Sequence, residues 1–259
     1  MPSETTAPTI DRRDLIEGLG KGLRVIEAFD DDHPRLSPSE AARRADITRT
    51  AARRYLLSLV HFGYAATDGK LFWLTPRVLR LGQSYLGAAR LPRLVQPFIQ
   101  RASLASGETV NVSVLDGHEV VYVARSNSPR IVSVGYHAGA RAPAHTVTPG
   151  VVILATLDDE ALDRWIAEHP FTAVSAHTLT DATRFRATVL EARTLGYWLI
   201  EQQLDAGLRG IAVALKNRRG ECKGAVSMTL PIHPLTREQT IERMLPLLQD
   251  VVQALRPLI

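Results

Sequence analysis

Along residues 19–29, LGKGLRVIEAF, the apolar positions Leu19, Leu23, Ile26 and Phe29 recur at helical spacing, which predicts an amphipathic helix ended by the acidic run Asp30 to Asp32. Ser37, Pro38 and Glu40 in SPSEAARRA then supply an N-cap, a proline at the first helical position and a capping-box glutamate, so a second, short helix runs to about Ala45. After the link ADIT, Thr48 is a suitable cap for a third helix. At ~100° per residue, Ala52, Tyr55, Leu56, Leu59 and Val60 of that helix fill one arc. Thr50, Arg53, Arg54, Ser58 and His61 fill the other, with Arg49 at the margin and Leu57 the one apolar residue that breaks the polar face. GYAATDGKLFWLTP follows, two short apolar runs around Asp68-Gly69, a dipeptide type favoured in tight hairpin turns. Helix, helix, turn, helix, β-hairpin is the order of a winged helix-turn-helix.

Thr75-Pro76 repeats the cap-plus-proline start, and PRVLRLGQSYLGAARL reads as a linker helix that Pro92 breaks. LVQPFIQRASLASG predicts another helix, and TVNVSVLDGHEVVYVAR predicts two strands around a turn at Asp116-Gly117. Further strands are expected at RIVSVGY, GYWLIEQ, LRGIAVALKN and CKGAVSMTL. Helical segments interleave them at about 149–168, 180–195 and 236–256, the last opening with Thr236 and Gln239 as a capping box. Strands punctuated by helices predict an antiparallel sheet with helices packed on it. The expected organisation is α+β: a disordered tail over 1–14, a winged helix-turn-helix over 15–75, a linker helix over 76–91 and a second domain over 92–259.

Composition narrows the class. Hydrophobic content of 45% with 22% charged residues is the balance of a soluble globular protein, and no apolar run approaches the ~18 residues of a membrane span. MPSETTAPTIDRRD lacks a basic stretch followed by an apolar one, so no secretion signal is read and a cytoplasmic location is expected. The lone Cys222 excludes an intrachain disulfide and a multi-cysteine metal site, and reads as a small packed hydrophobe. The net charge of +4 is unevenly spread: residues 35–90 carry ten Lys and Arg against three acids, whereas residues 91–259 carry 17 against 16. The two parts therefore meet different partners.

A helix whose first turns carry arginine and short hydroxyl side chains can enter the major groove of double-stranded DNA, where Arg bonds guanine and Thr touches a thymine methyl or a phosphate. Thr48, Arg49, Thr50 and Arg53 are the expected base readers. Arg54, Arg43, Arg44 and Lys70 are placed for phosphate contacts that orient without reading sequence. A merely solvated basic face is the alternative. The coincidence of the cluster with a capped two-helix unit and a Gly-turn wing favours DNA.

LGKGLRVIEAF, followed by LSPSEAARRADITRTAARRYLLSLVHFGYAATDGKLFWLTPRVLRLGQSYL, resembles the DNA-binding half of the IclR family of bacterial transcriptional regulators. TRTAARRYLLSLVHFGY is similar to the subgroup that controls aromatic-acid breakdown through the β-ketoadipate pathway. The family usually has Gly in the turn where this chain has Asp46, a residue that tolerates left-handed backbone geometry. GARAPAHTVTPGVVILATL resembles the family's effector loop, and GLRGIAVALKNRRGECKGAVSMTLP its C-terminal effector motif. The resemblance implies a GAF-like α/β effector-binding domain and a linker helix that contributes to dimer contacts. It also implies a pocket lined by Ile131, Val134, Ala142, Thr148, Pro149, Leu208, Gly210, Ser227 and Thr229. The residues themselves add that Thr148 caps a helix beginning at Pro149, which leaves the amides of Gly150 and Val151 to meet an anion; an ordinary capped core helix fits equally well. Arg130, Arg141, His145 and Arg209 could add positive charge, although Arg is more often a surface or structural residue. Gly210 stands where the family often carries a larger residue, so it should enlarge the pocket.

No nucleophile elbow, HExxH, phosphate loop, metal-ligand spacing or Cys-centred site is found, and His118, His137, His145, His169, His177 and His233 are scattered. No catalytic residue, metal or cofactor is therefore expected. The expected protein is a homodimer or dimer of dimers that reads an inverted-repeat operator. It senses a small carboxylate or aromatic acid such as protocatechuate, 4-hydroxybenzoate or β-ketoadipate. The rivals are an enzyme with an unrecognised active site tethered to DNA, and a ligand-independent DNA-binding protein.

Overall fold

The computed structural model describes residues 10–88, 90–127 and 137–259, and the chain divides into two compact units, Met1–Tyr85 and Leu86–Ile259. In the first unit, α1 (Glu17–Glu27), α2 (Pro38–Arg44) and α3 (Arg49–His61) precede a hairpin of β1 (Ala65–Thr67) and β2 (Phe72–Leu74). Both halves of the capping box form at α2: the Ser37 amide donates to Glu40 at 2.8 Å and the Glu40 amide to Ser37 Oγ at 3.3 Å. Asp46 takes φ 51°, and the Ile47 amide then closes on the Ala42 carbonyl at 3.0 Å. That left-handed closure ends α2 and aims the chain into α3. Leu36 and Phe72 exchange backbone bonds of 2.9 Å, which fastens the hairpin to the helices. Val25, Leu36, Ala41, Ala52, Leu56 and Phe72 make the core. The expected disordered tail is shorter at its inner end, since Arg12–Asp14 form a 3-10 turn; residues 1–9 lie outside the described residues.

A 3-10 turn, Pro76–Val78, leads into α4 (Leu79–Ala88), and α5 (Arg90–Ser106) follows. Pro92 does not end a helix. Residues 90–106 are helical through it.

The second unit is a six-stranded antiparallel sheet of order β5-β4-β3-β8-β7-β6. Its strands are β3 (Thr109–Asp116), β4 (Glu119–Ser126), β5 (Arg141–Pro143), β6 (Trp198–Glu201), β7 (Leu208–Lys216) and β8 (Cys222–Pro231). The expected strand RIVSVGY lies outside the described residues, and β5, only three residues long, is too short for alternation to reveal. Val110, Val112, Ile211, Val226 and Met228 face α5 and α9 (Arg237–Leu255). Val120, Tyr122 and Ile200 face α6 (Thr148–Leu154), α7 (Asp159–Glu168) and α8 (Ala182–Leu195). The stretch expected as one helix over 149–168 is two, because Asp158 caps α7 by accepting from the Ala161 amide at 2.8 Å. The pleat turns alternate residues to opposite faces. Thr109, Asn111 and Ser113 therefore share the α6 face with their register partners Thr229, Ser227 and Ala225 on β8. Gly210 of β7 joins this face opposite Thr229.

Candidate functional site

Arg43, Arg49, Thr50, Arg53, Arg54 and Lys70 are exposed on the first unit, and among the described residues their side chains make no hydrogen bond or ion pair. Thr48 Oγ1 accepts from the Ala51 amide at 3.3 Å, so this residue fixes the start of α3. At the wing tip, Asp68 Oδ1 accepts from the amides of Lys70 and Leu71 at 2.9 and 2.8 Å, leaving the Lys70 ammonium in solvent. Arg44 departs from the expected phosphate contact. Its guanidinium bonds the Ala28 carbonyl at 2.6 Å, His33 Nδ1 at 3.1 Å and the Asp30 carboxylate, and so braces α2 against the end of α1. Arg35, which the sequence reading passed over, stacks on Trp73 of the wing at 4.4 Å.

In the second unit a small cleft opens between the sheet and the start of α6. Six of the expected residues line it: Thr148, Pro149, Leu208, Gly210, Ser227 and Thr229. Tyr122, Thr146, Ile200 and the loop Gln202 to Asp205 line it as well, unforeseen because register and loop packing bring them there from distant parts of the chain. Ala142 packs in the core beside Val120, and Ile131, Val134 and Arg130 lie outside the described residues. Thr148 is the first residue of α6 rather than its cap, which is Val147. The Gly150 and Val151 amides donate to the Val147 carbonyl at 3.1 and 3.3 Å, so they are not free to meet an anion. The space left by Gly210 is filled rather than empty: a Cβ there would stand 3.0 Å from Thr148 Oγ1. Arg209 is among the residues that line the cleft, but the guanidinium groups of both described arginine candidates are held by other partners. Arg141 bridges Asp116 and Glu119, each at 2.7 Å, and Arg209 bonds Glu201 and the start of α9. Among the described residues that line the cleft, Thr148, Ser227 and Thr229 carry hydroxyls that make no hydrogen bond within the chain.

Three histidines that looked scattered converge behind the cleft wall. His169 Nε2 lies 2.7 Å from His145 Nδ1, and His145 Nε2 lies 3.2 Å from the Thr172 carbonyl. A carbonyl only accepts, so His145 carries its proton on Nε2 and His169 donates to its Nδ1. His169 Nδ1 is then a buried lone pair without a partner. The ring stacks on Trp165 at 4.4 Å and meets His118 at 5.1 Å. Burial, with His145 and His118 adding to it, holds His169 down at about 4, below the ordinary 6.5. The unfolded chain takes up a proton near 6.5 that the folded one refuses until about 4, so this contribution to stability is complete above 6.5 and is lost as the pH falls to 4. The slope is at most about 1.4 kcal/mol per pH unit. Urea unfolding near pH 7 and near pH 5 should show a larger loss for the wild type than for His169→Phe; equal losses would place the acid sensitivity elsewhere.

Residues 18–69 match the IclR helix-turn-helix domain, and residues 83–256 match the family described as bacterial transcriptional regulator IclR C-terminal. The chain is 39% identical over 255 residues, 96% of its own length and 94% of the relative's, to the p-hydroxybenzoate hydroxylase transcriptional activator of Acinetobacter baylyi. It is 32% identical to the inducer-binding domain of the PobR transcription factor from Acinetobacter, solved as a double mutant with 3-hydroxybenzoic acid. That superposition has a TM-score of 0.62 and covers 66% of this chain and all of that one. An IclR homologue from Microbacterium hydrocarbonoxydans, complexed with 4-hydroxybenzoate, shares the fold at 24% identity, with a TM-score of 0.74 over 92% of this chain and 97% of that one.

Proposed function

The chain belongs to the IclR family of bacterial transcriptional regulators, and from that premise we propose that it controls an aromatic-acid degradation operon by binding a small hydroxylated aromatic carboxylate in the cleft of its second unit. What carries the reading is the composition of that cleft. Val147, Pro149, Ile200 and Leu208 offer apolar walls to a ring, while Thr148, Ser227 and Thr229 offer hydroxyls to a carboxylate. The relatives crystallised with 3-hydroxybenzoic acid and 4-hydroxybenzoate supply the ligand class. For the ligand to change transcription it must bind two conformations of the regulator with different affinity. Titration with 4-hydroxybenzoate, 3-hydroxybenzoate and protocatechuate, followed by tryptophan fluorescence and by operator retention, tests this. Saturable binding that changes operator occupancy supports it, and no binding of any of the three sinks it.

DNA is read by α3, with Arg49, Thr50 and Arg53 at base edges and Arg43, Arg54 and Lys70 on phosphates. The protein acts as a homodimer or dimer of dimers on an inverted repeat. In support of self-association, Leu19, Leu23, Phe62 and Leu81 of the first unit edge an apolar groove, with Leu19 64% and Phe62 59% exposed. Two-fold symmetry then sets two half-sites about one helical turn, or a multiple of it, apart. Arg53→Ala should weaken operator binding by ~1 to 3 kcal/mol and relax specificity at one base pair. Gel-shift titration at matched salt checks it, and wild-type affinity in the variant would remove Arg53 from the base readers.

A further inference from the structure

We propose that Asn111, supported by Ser113, reads a ring hydroxyl of the effector from the sheet next to the residues that line the cleft. The inference rests on the aromatic-acid reading above and adds a residue and a recognition rule to it. Asn111 is fully buried, and neither its Nδ2 nor its Oδ1 has a hydrogen-bond partner; the Ser113 hydroxyl, one pleat further along β3, is unpaired too. Nearly all buried polar side-chain groups in folded proteins find partners, and one that does not carries its full desolvation penalty. Three such atoms side by side on one strand face are a concentrated penalty in the ligand-free protein.

Their position gives the penalty a purpose. Asn111 is directly opposite Ser227 of β8, and Ser113 is opposite Tyr122 of β4. Ser227 and Tyr122 both line the cleft. Asn111 and Ser113 therefore occupy the stretch of sheet between two lining residues, on the face that carries α6. A carboxamide presents a donor and an acceptor together, and a phenolic hydroxyl is the matching donor and acceptor. A carboxylate accepts only, so it would satisfy Nδ2 and face Oδ1 with its own negative charge. The amide thus selects the hydroxyl end of a hydroxybenzoate and leaves the carboxylate to Thr148 and Thr229.

Calorimetric titration of 4-hydroxybenzoate, 3-hydroxybenzoate and benzoate into the full-length wild type, Asn111→Leu and Ser113→Ala tests the assignment. The wild type should prefer one hydroxybenzoate over benzoate by about tenfold or more, and Asn111→Leu should erase that preference while shifting benzoate affinity by less than about threefold. The unliganded Asn111→Leu protein should melt at or above the wild-type temperature, because a near-isosteric apolar side chain removes the unpaired amide. A retained preference in Asn111→Leu, or equal loss of affinity for all three acids, overturns the proposal. So does a lowered melting temperature with the preference intact, the mark of an amide that only holds an internal water. If Asn111→Leu does not fold, Ser113→Ala decides: a reduced preference with unchanged benzoate binding supports the proposal, and an unchanged preference overturns it. A wild type that binds none of the acids ends the aromatic-acid reading itself, and this inference with it, whereas binding with no effect of either variant ends this inference alone.

Discussion

Gly150→Ala should lower the stability of the second unit by about 3 kcal/mol or more, although the substitution adds one methyl group in the first turn of a helix. A Cβ at position 150 would stand 2.6 Å from the carbonyl carbon of Ala144 and closer still to its oxygen. Ala144 belongs to the buried 3-10 turn Ala144–Thr146 on which α6 lies, so the obstacle is backbone and cannot rotate away. Relief requires α6 to lift, and Thr146, Val147, Thr148 and Pro149 would leave the cleft wall with it. Gly210→Ala makes the contrast, since its new Cβ meets a threonine side chain that can turn; it should narrow the cleft at much smaller cost in stability. The chain has three tryptophans, and only Trp73 lies in the first unit. In a Trp73→Phe background, urea unfolding followed by fluorescence therefore reports the second unit through Trp165 and Trp198. A Gly150→Ala midpoint equal to that of the parent would mean that the close approach of α6 to Ala144 is not a constraint on the fold.

The first unit was legible because its signals are local. Ser37 with Glu40, Thr48, and the Asp68-Gly69 turn each act within four residues, and the structure realises each where the sequence put it. Asp46 was readable for the same reason, as a residue able to take the left-handed turn it takes. Arg44 was misread because its partners, the Ala28 carbonyl and Asp30, are set by how α1 packs on α2. In the second unit the short motif segments located half of the cleft wall. Its other half, and Asn111, depend on strand register: Asn111 meets Ser227 across more than a hundred residues, and periodicity assigns a strand two faces without saying which face the ligand takes.

Arg209→Ala should cost the second unit about 3 kcal/mol, since its buried guanidinium ties β6 and β7 to the start of α9. Its side chain is 4% exposed. Nε bonds Glu201 at 2.7 Å, while Nη1 reaches the Leu235 carbonyl at 2.9 Å, the Thr236 carbonyl at 2.8 Å and Thr240 Oγ1 at 2.5 Å. One guanidinium thus joins β6, β7 and the start of α9. Truncation takes the donor from Glu201 and from the Leu235 carbonyl, whereas the Thr236 carbonyl keeps the Thr240 amide and hydroxyl; removing one partner of a buried pair is worse than replacing both. Lysine should not restore the wild type, because a point charge cannot serve acceptors spread over a planar fork. Glu201→Gln combined with Arg209→Ala should cost less than the sum of the two single changes, as coupled partners do. The same variants separate scaffold from ligand contact: Arg209 lines the cleft together with Leu208 and Gly210, while its guanidinium bonds Glu201 and the start of α9. Below its unfolding transition Arg209→Ala should therefore keep the wild-type preference among hydroxybenzoates. Selective loss of carboxylate affinity, with urea stability unchanged, would instead make Arg209 the cation that the effector's carboxylate meets.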